Sequence, residues 1–237
     1  VVCETYGVTD AKAWAKEQVR LMNEAEKEDA ATFTIELNSG TDLVMDEQRR
    51  FNGGYLFLHA IYYELGLHKI CRAIANRHSF EYDLNDIMSR LNYTRILYPS
   101  SKRSSFQDSK RFIEQPSFEL HDIYRSLSVI AEESDYIQSR LFKNSAAIAG
   151  RRTEIIYYDC TNFYFEIDRE DDFRKKGPSK ENRHEPIVGL GLLLDANQIP
   201  IGMKLYPGNE SEKPVMREII DDLKTRNNIS GRTIQVA

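Results

Sequence analysis

The chain has 237 residues, a net charge of −5 and an ordinary share of apolar side chains, so it can form one large domain or two smaller ones. No stretch approaches the roughly 18 consecutive apolar residues of a membrane span, and the N-terminus lacks the apolar segment of a signal peptide. We therefore expect a cytoplasmic protein that makes no membrane contact. The cysteines are scattered and form no C-x-x-C pair, which argues against a disulfide framework and a structural zinc site.

The charge is distributed unevenly along the chain. Residues 1–50 carry 6 basic and 11 acidic side chains, which account for the whole net charge. The remaining residues balance, but their basic side chains cluster at residues 95–111, 140–152 and 174–183. Such clusters either bind phosphate groups or form solvated surface, and the sequence leaves both readings open.

The first 150 residues are predicted to be mainly helical. A helix begins at Asp10 or just before it and continues to about Ala30, and strict alternation over Thr32–Leu37 predicts a half-buried strand. Four further helical segments follow, the first of them with a bend at Gly66, and a helix-turn-helix is weakly indicated between Leu67 and Arg95. The four segments are Tyr55 to about Ile74, Leu84–Leu97, Glu119–Glu132 and Asp135–Ala149.

From residue 151 onward the period changes to that of strands. The run Ile155–Phe165 is aromatic and β-branched and reads as one buried strand, yet it contains Asp159. An unpaired carboxylate is costly to bury, so Asp159 indicates a ligand for a divalent metal held on a rigid strand. The alternative is a strand that ends at Tyr158 and continues as a polar turn from Asp159 to Asn162, and the residues alone favour neither reading.

A hairpin, a helix and a last strand follow. Ile187–Leu194 and Ile199–Tyr206 are apolar runs joined by a polar turn, and Pro200 should keep the second run at the sheet edge because proline cannot donate to a ladder. Gly189 and Gly191 share one face of the first run, where we expect close packing, for instance by a helix. The predicted helix has a buried face of Val215, Met216, Ile219, Ile220 and Leu223, and Thr233–Ala237 begins the last strand.

These elements predict an α+β protein in two parts. Residues 1–150 form a mainly helical N-terminal region, and residues 151–237 form the first half of a mixed sheet with a flanking helix. A right-handed crossover from the edge strand through the helix should bring the last strand beside the first and parallel to it. This arrangement is the opening half of a ribonuclease H-like sheet.

At these residues the chain resembles the DDE transposases of bacterial insertion sequences, in the branch with a ribonuclease H-like catalytic domain. The resemblance covers nearly the whole chain, and it rests on the order and spacing of several segments because no single one is diagnostic. The segments are Gly54–Leu58, Ile61–Leu67, Pro99–Lys102, Tyr157–Thr161, Ile187–Asp195, Ile199–Gly202, Tyr206–Glu212 and Ile234–Ala237.

The resemblance implies two-metal phosphoryl transfer on DNA. In this family two Asp and one Glu hold two Mg²⁺ or Mn²⁺ ions, which activate water or a DNA 3′-hydroxyl and stabilise the leaving oxygen. By this match Asp159 is the first carboxylate. The second aspartate of the family follows directly after the strand that here reaches Ala237, and the glutamate comes later. We therefore expect this chain, as it stands, to be inactive, and Asp168, Glu170 and Asp195 are not obvious substitutes.

The implied partner is double-stranded DNA at the ends of the transposon, in the bacterial cytoplasm at the nucleoid. Transposases of this kind commonly act as homodimers on paired ends. The alternative function is a non-catalytic DNA-binding relic of a transposase, or a regulator that binds DNA without cutting it. The candidate DNA-binding residues are Lys102, Arg103, Arg174, Lys175, Lys176, Lys180 and Arg183.

Five of these candidates lie in one connection that follows the Asp159 strand. Because this connection leaves the end of that strand, we expect it to emerge near the metal site, and Gly177-Pro178-Ser179 makes a helix there unfavourable. The prediction is a mobile loop that becomes ordered on the DNA backbone. The competing interpretation is a solvated loop whose field is partly cancelled by Asp171 and Asp172.

Overall fold

The computed structural model describes residues 10, 12–21, 50–177, 184–210, 212–229 and 234–236. These residues form an α+β protein, and none of the described helices is long and apolar enough to cross a bilayer. In chain order the elements are α1 at residues 12–21, α2 at Tyr55–Glu64, α3 at Leu67–Ala75, α4 at Leu84–Leu97, α5 at Lys102–Ser109, α6 at Leu120–Glu132, α7 at Ser134–Ala149, β1 at Ile155–Tyr164, β2 at Ile187–Leu194, β3 at Pro200–Pro207, α8 at Glu212–Asn227 and β4 at Ile234–Val236.

Most of the predicted helices are confirmed. The three from Leu84 to Ala149 agree with α4, α6 and α7 to within one residue at each end. The helix predicted from Tyr55 is divided at Gly66, whose φ of 70° lies in the left-handed region that glycine adopts without strain. The first predicted helix is present at residues 12–21, and its remainder, like the predicted strand Thr32–Leu37, lies outside the described residues.

The chain packs as two compact units. The first comprises Val1–Glu64 and Asp86–Phe118, and the second comprises Leu65–Asn85 and Glu119–Ala237. The sheet therefore shares its unit with α3, α6 and α7, which the sequence pattern assigns to the N-terminal region that ends at residue 150.

The first unit has an aromatic core. Tyr55 of α2 stacks on Phe112 with ring centroids 4.4 Å apart and lies 5.7 Å from the ring of Tyr93 on α4. All three side chains are buried. Beside this core, Arg90 Nε donates to Asp86 Oδ1 at 2.6 Å, and the side chains of this ion pair are almost fully buried. The same two side chains reach the segment that follows α5, since Arg90 Nη2 donates to Gln115 O at 3.2 Å and Asp86 Oδ2 accepts the backbone N–H of Ser117 at 2.8 Å. Aromatic stacking and these two hydrogen bonds therefore hold α4 against that segment.

The four strands of the second unit form one sheet in the order β3-β2-β1-β4. β2 is antiparallel to β1 and to β3, and β4 is parallel to β1. The predicted hairpin is confirmed, and β3, which begins at Pro200, lies at the edge as expected. The prediction that the last strand lies beside the first and parallel to it is also confirmed.

The helices α7 and α8 cover one face of this sheet. Ile219 and Leu223 of α8, one turn apart, are buried against it, as their spacing predicts. Gly191 lies beneath them, because a Cβ atom there would be 2.7 Å from Ile219 Cδ1 and 2.8 Å from Tyr158 Oη. The close packing predicted at Gly191 is thus packing by a helix, whereas the space at Gly189 is filled by the ring of Tyr206 on the neighbouring strand.

α7 also protects the open edge of the sheet. Gln138 Oε1 accepts a hydrogen bond from the backbone N–H of Met203 on β3, at 2.6 Å. Gly202 leaves the room for this contact, since a Cβ atom there would lie 3.0 Å from the same oxygen. A backbone donor that would otherwise face outward on an edge strand is therefore satisfied within the unit.

A buried ion pair joins the start of β1 to the hairpin turn. Arg151 Nε lies 3.2 Å from Asp195 Oδ2, and the two side chains are 4% and 0% exposed. The contact is electrostatic, since the two atoms are not aligned as a hydrogen bond. Asp195 Oδ1 accepts the backbone N–H groups of Asn197 and Ile199, each at 2.9 Å. Burial lowers the pKa of Arg151, and the charge of Asp195 opposes that effect.

Replacing Asp195 by Ala should lower the free energy of unfolding by about 3–5 kcal/mol, because it leaves Arg151 buried without its partner. Urea denaturation followed by circular dichroism measures the change. Glu154→Ala is the matched control, since Glu154 pairs with Arg152 on the surface and both side chains are more than half exposed. That control should leave the stability nearly unchanged, and equal losses in the two variants would contradict the role of the buried pair.

Candidate functional site

Asp159 lies in the middle of β1 on the face of the sheet that α7 and α8 do not cover. β1 continues through it to Tyr164, so the strand reading is confirmed and the polar-turn reading is wrong. Burial alternates along the strand: Tyr158 and Cys160 are buried, whereas Asp159 is exposed. The expectation that Asp159 is buried is therefore wrong, because the two-residue period of a strand places it on the open face.

The open face beside Asp159 is apolar. β2 places Leu192 directly opposite Asp159, and β3 places Met203 opposite Leu192. Two residues further along β1, Thr161 lies opposite Leu190 of β2, which in turn lies opposite Leu205 of β3. Within the three strands β1, β2 and β3 as described, Asp159 is thus the single charged side chain on this face. Apolar neighbours on the hairpin side strengthen the field of the carboxylate at short range.

The other side of Asp159 faces β4. The parallel register pairs Ile155 with Ile234 and Tyr157 with Val236. Tyr157 and Asp159 are two residues apart on β1, so β4 runs beside the strand that carries the carboxylate, at the strand spacing of about 4.8 Å.

The described residues do not by themselves form a complete metal site. Among them, no group of three His, Cys, Asp or Glu side chains is placed to hold an ion. Asp159 offers one carboxylate, whereas a metal pair requires several oxygen ligands. Of the conceivable substitutes, Asp195 is buried against Arg151, and Asp168 and Glu170 lie beyond the end of β1. No step of a reaction is therefore assigned to a metal here.

The connection after β1 is anchored in its first part. Lys175 exchanges two backbone hydrogen bonds with Ile187 of β2, at 3.1 and 2.8 Å. Gly177 lies against the backbone of Gly208, whose carbonyl oxygen would be 2.0 Å from a Cβ atom at position 177. Residues 174–177 are therefore anchored rather than mobile as predicted, by an isolated bridge from Lys175 to β2 and by the contact at Gly177. Lys180 and Arg183 lie outside the described residues.

The charge of Arg174 is compensated locally. Its Nη2 lies 2.5 Å from Asp171 Oδ2, and its guanidinium lies over the ring of Phe165 at 5.5 Å. The backbone N–H of Arg174 donates to Asp171 Oδ1 at 2.6 Å, and that of Phe173 does so at 2.9 Å. These bonds hold the pKa of Asp171 at about 2, the backbone bond from Arg174 being the largest cause. For Arg174 this favours the solvated-loop interpretation.

Lys175 and Lys176, like Arg169, form no ion pair with another described residue. Residues 168–177 carry four acidic and four basic side chains, so the segment has no net charge. The expected position beside Asp159 is also wrong, because β1 continues for five residues after Asp159, a length of about 17 Å. Along one DNA strand that length corresponds to about five nucleotides at 3.4 Å each.

Lys102 and Arg103 lie in the first unit, in the first turn of α5. Ser101 caps this helix by accepting the backbone N–H of Ser104 at 3.2 Å. Apolar periodicity does not predict α5, because its buried face consists of Ser105, Phe106 and Ser109 rather than apolar residues alone. The sequence signal that would have located the helix is the cap, a serine directly after Pro99 and Ser100.

The comparisons with known proteins add no relative: no family model matches the chain, and no curated protein is similar to it. The resemblance to transposases therefore stays an expectation from the sequence.

In an NMR titration Asp171 should change its protonation state at pH about 2. Arg174→Ala should move this pKa upward but not the whole way to 3.8, because the backbone donors remain. The measurement is the ¹³C shift of the Asp171 carboxyl group. Arg169→Ala removes the same charge from the same segment and should leave that titration in place. If it raises the pKa as much as Arg174→Ala does, the general field and not the local pair lowers it.

Proposed function

We propose that the protein is a DNA transposase of the DDE type, with Asp159 as the first carboxylate of its catalytic set. The observation that carries this proposal is the strand order β3-β2-β1-β4 with Asp159 exposed in the middle of β1. A ribonuclease H-like sheet begins in this way, with an antiparallel β1-β2-β3 meander and a fourth strand parallel to the first. The order and the parallel register support the proposal independently of the residues that carry the resemblance.

The register of β4 also supports a role for Asp159 as one of a pair. Metal ions of a two-metal site lie about 3.5–4 Å apart. Carboxylates on adjacent strands, about 4.8 Å apart, are spaced to share such ions. Asp159 would be one ligand of Mg²⁺ or Mn²⁺, which would supply Lewis-acid chemistry on a phosphate. What the described chain contributes is direction, since a central strand fixes where the carboxylate points.

The proposed substrate is double-stranded DNA at the ends of the element that encodes the protein, acted on by a homodimer in the bacterial cytoplasm. A DNA-binding protein without cleavage activity is the second candidate function. The observation that favours it is the incomplete set of metal ligands among the described residues.

Cleavage should depend on Asp159. A longer product that also carries the second aspartate and the glutamate is incubated in Mg²⁺ or Mn²⁺ with a supercoiled plasmid that carries the DNA flanking the gene, and strand breaks are counted on a gel. Asp159→Asn should reduce cleavage to background without weakening DNA binding, because metal ligation and phosphate contact use different residues. Asp168→Asn, the same change beyond the end of β1, should keep the activity.

Thermal unfolding is the control for Asp159→Asn, which should be as stable as the parent or slightly more so, because an exposed carboxylate serves function rather than packing. Cleavage that survives Asp159→Asn would refute the assignment. A parent that binds DNA and never cuts it would favour the second candidate.

Lys175 and Lys176 should bind DNA through phosphates alone. Replacing both by Ala should weaken binding to all duplexes about equally and lower the slope of log K against log salt by roughly 0.9 for each phosphate that the variant no longer neutralises. Fluorescence anisotropy at several salt concentrations measures both quantities. Arg140→Ala with Lys143→Ala removes the same charge from the exposed side of α7 and should leave the slope unchanged. If both double variants overlay the parent, the segment is solvated surface.

A further inference from the structure

Polar side chains on the open face of the sheet lie in one row along β1. Tyr157, Asp159 and Thr161 alternate with the buried Tyr158 and Cys160, so the strand period places all three on the face that α7 and α8 leave open. The partners of Asp159 and Thr161 on β2 and β3 are leucines and one methionine. A polar row centred on the carboxylate therefore runs along the strand, with apolar neighbours on the hairpin side.

Thr161 stands one strand period beyond Asp159, a distance of about 7 Å. Its side chain is exposed, and its hydroxyl bonds to no other residue in the described part of the chain. Branching at Cβ restricts threonine to few rotamers, so the strand fixes the direction of the hydroxyl within narrow limits. Thr161 is thus an oriented hydrogen-bond donor on the same face as the carboxylate.

The packing of the sheet does not use this hydroxyl. The cross-strand neighbour of Thr161 is Leu190, and Leu205 follows on β3 with 45% of its surface exposed. Valine has the same shape as threonine and suits a strand equally well, and its second methyl group would pack on Leu190 better than a hydroxyl does. Solvent or a ligand of the open face is therefore what the hydroxyl can bond to.

A neutral donor suits a position beside a metal-binding carboxylate. A lysine or arginine at position 161 could reach Asp159 and form an ion pair with it, which would compete with a metal ion for the carboxylate. A hydroxyl avoids this pairing and still donates to phosphate oxygens, as serine and threonine commonly do in complexes with DNA. The step of about 7 Å from Asp159 to Thr161 corresponds to about two nucleotides of 3.4 Å along one DNA strand.

We propose that Thr161 donates a hydrogen bond to a phosphate oxygen of the DNA strand that is cut, within about two nucleotides of the scissile phosphate, and thereby holds that strand along β1. The inference rests on the proposed function, which places the scissile phosphate at Asp159. What it adds is the path of the strand over the open face. Thr161 transfers no proton and takes no part in bond breaking, since its task is to align the phosphate.

Thr161→Val removes the hydroxyl and keeps the shape of the side chain. In the longer product that carries the second aspartate and the glutamate, this change should slow cleavage of a duplex with the DNA flanking the gene by about tenfold or more at saturating protein. The salt dependence of binding should stay unchanged, because a neutral hydroxyl releases no counterion. Thr161→Ser keeps the hydroxyl and should restore the rate to within about threefold of the parent.

Thr153→Val is the matched control, because it makes the same chemical change before β1 begins. It should cleave as the parent does. Thermal unfolding verifies that each variant is folded, and the exposed position of Thr161 predicts a stability close to that of the parent.

Modified phosphates test the contact itself. Up to about three phosphates on either side of the cleaved bond are replaced one at a time by methylphosphonate, which lacks the negative charge and one acceptor oxygen. One replacement should slow the parent by about tenfold and have no further effect on Thr161→Val. The other replacements should slow both proteins by equal factors.

Three results would overturn the inference: Thr161→Val cleaving at the rate of the parent, Thr161→Ser as slow as Thr161→Val, or methylphosphonate effects that are equal in the parent and Thr161→Val at every position. In each case a parent that cuts and an Asp159→Asn variant that does not would leave the proposed function intact. A parent that never cuts would remove the proposed function and this inference with it.

Discussion

The buried pair of Arg151 and Asp195 constrains everything that follows it in the sheet. It ties the residues before β1 to the turn between β2 and β3, and so favours the register in which Asp159 lies opposite Leu192. A slip of one residue would turn every side chain of β1 to the other face and would place the carboxylate under α7 and α8. There it would be a buried charge without a partner. The ion pair, whose Asp195 lies three residues from Leu192, therefore favours the register that leaves Asp159 exposed.

The two faces of the sheet consequently differ in packing and exposure. On the covered face, packing is tight at Gly191 and Gly202, where the ends of side chains of β1, α7 and α8 would have to move to make room for a Cβ atom. On the open face, Asp159 and Thr161 are exposed among apolar side chains and contribute little to packing. Because successive side chains of a strand point to opposite faces, the residues that pack the core and the residues of the open face are different ones. Changes on the open face can therefore alter activity while the fold persists.

The sequence predicted those parts of the fold that local pattern and chain connectivity determine. Long helices with apolar stripes were located to within one residue, and a single proline with one crossover was enough to order four strands. The exposure of Asp159 could not be predicted, because β1 has aromatic side chains on both faces. The sequence of β1 therefore does not show which of its residues face the core. α5 was missed because serines fill most of its buried face. The anchoring of Lys175 to Ile187 depends on a pairing between residues twelve positions apart, which local composition does not predict.

An acidic protein can bind DNA because its charges act locally. Screening at physiological salt limits the field of an exposed charge to about 8 Å. The net charge of −5 therefore does not decide whether a local group of cations can bind phosphate. In the segment around Arg174 the same locality limits the positive charge, because its acids stand within the segment and Asp171 neutralises Arg174 at contact distance. The positive charge that a phosphate could meet there is then that of Arg169, Lys175 and Lys176, for which the described residues show no acidic partner.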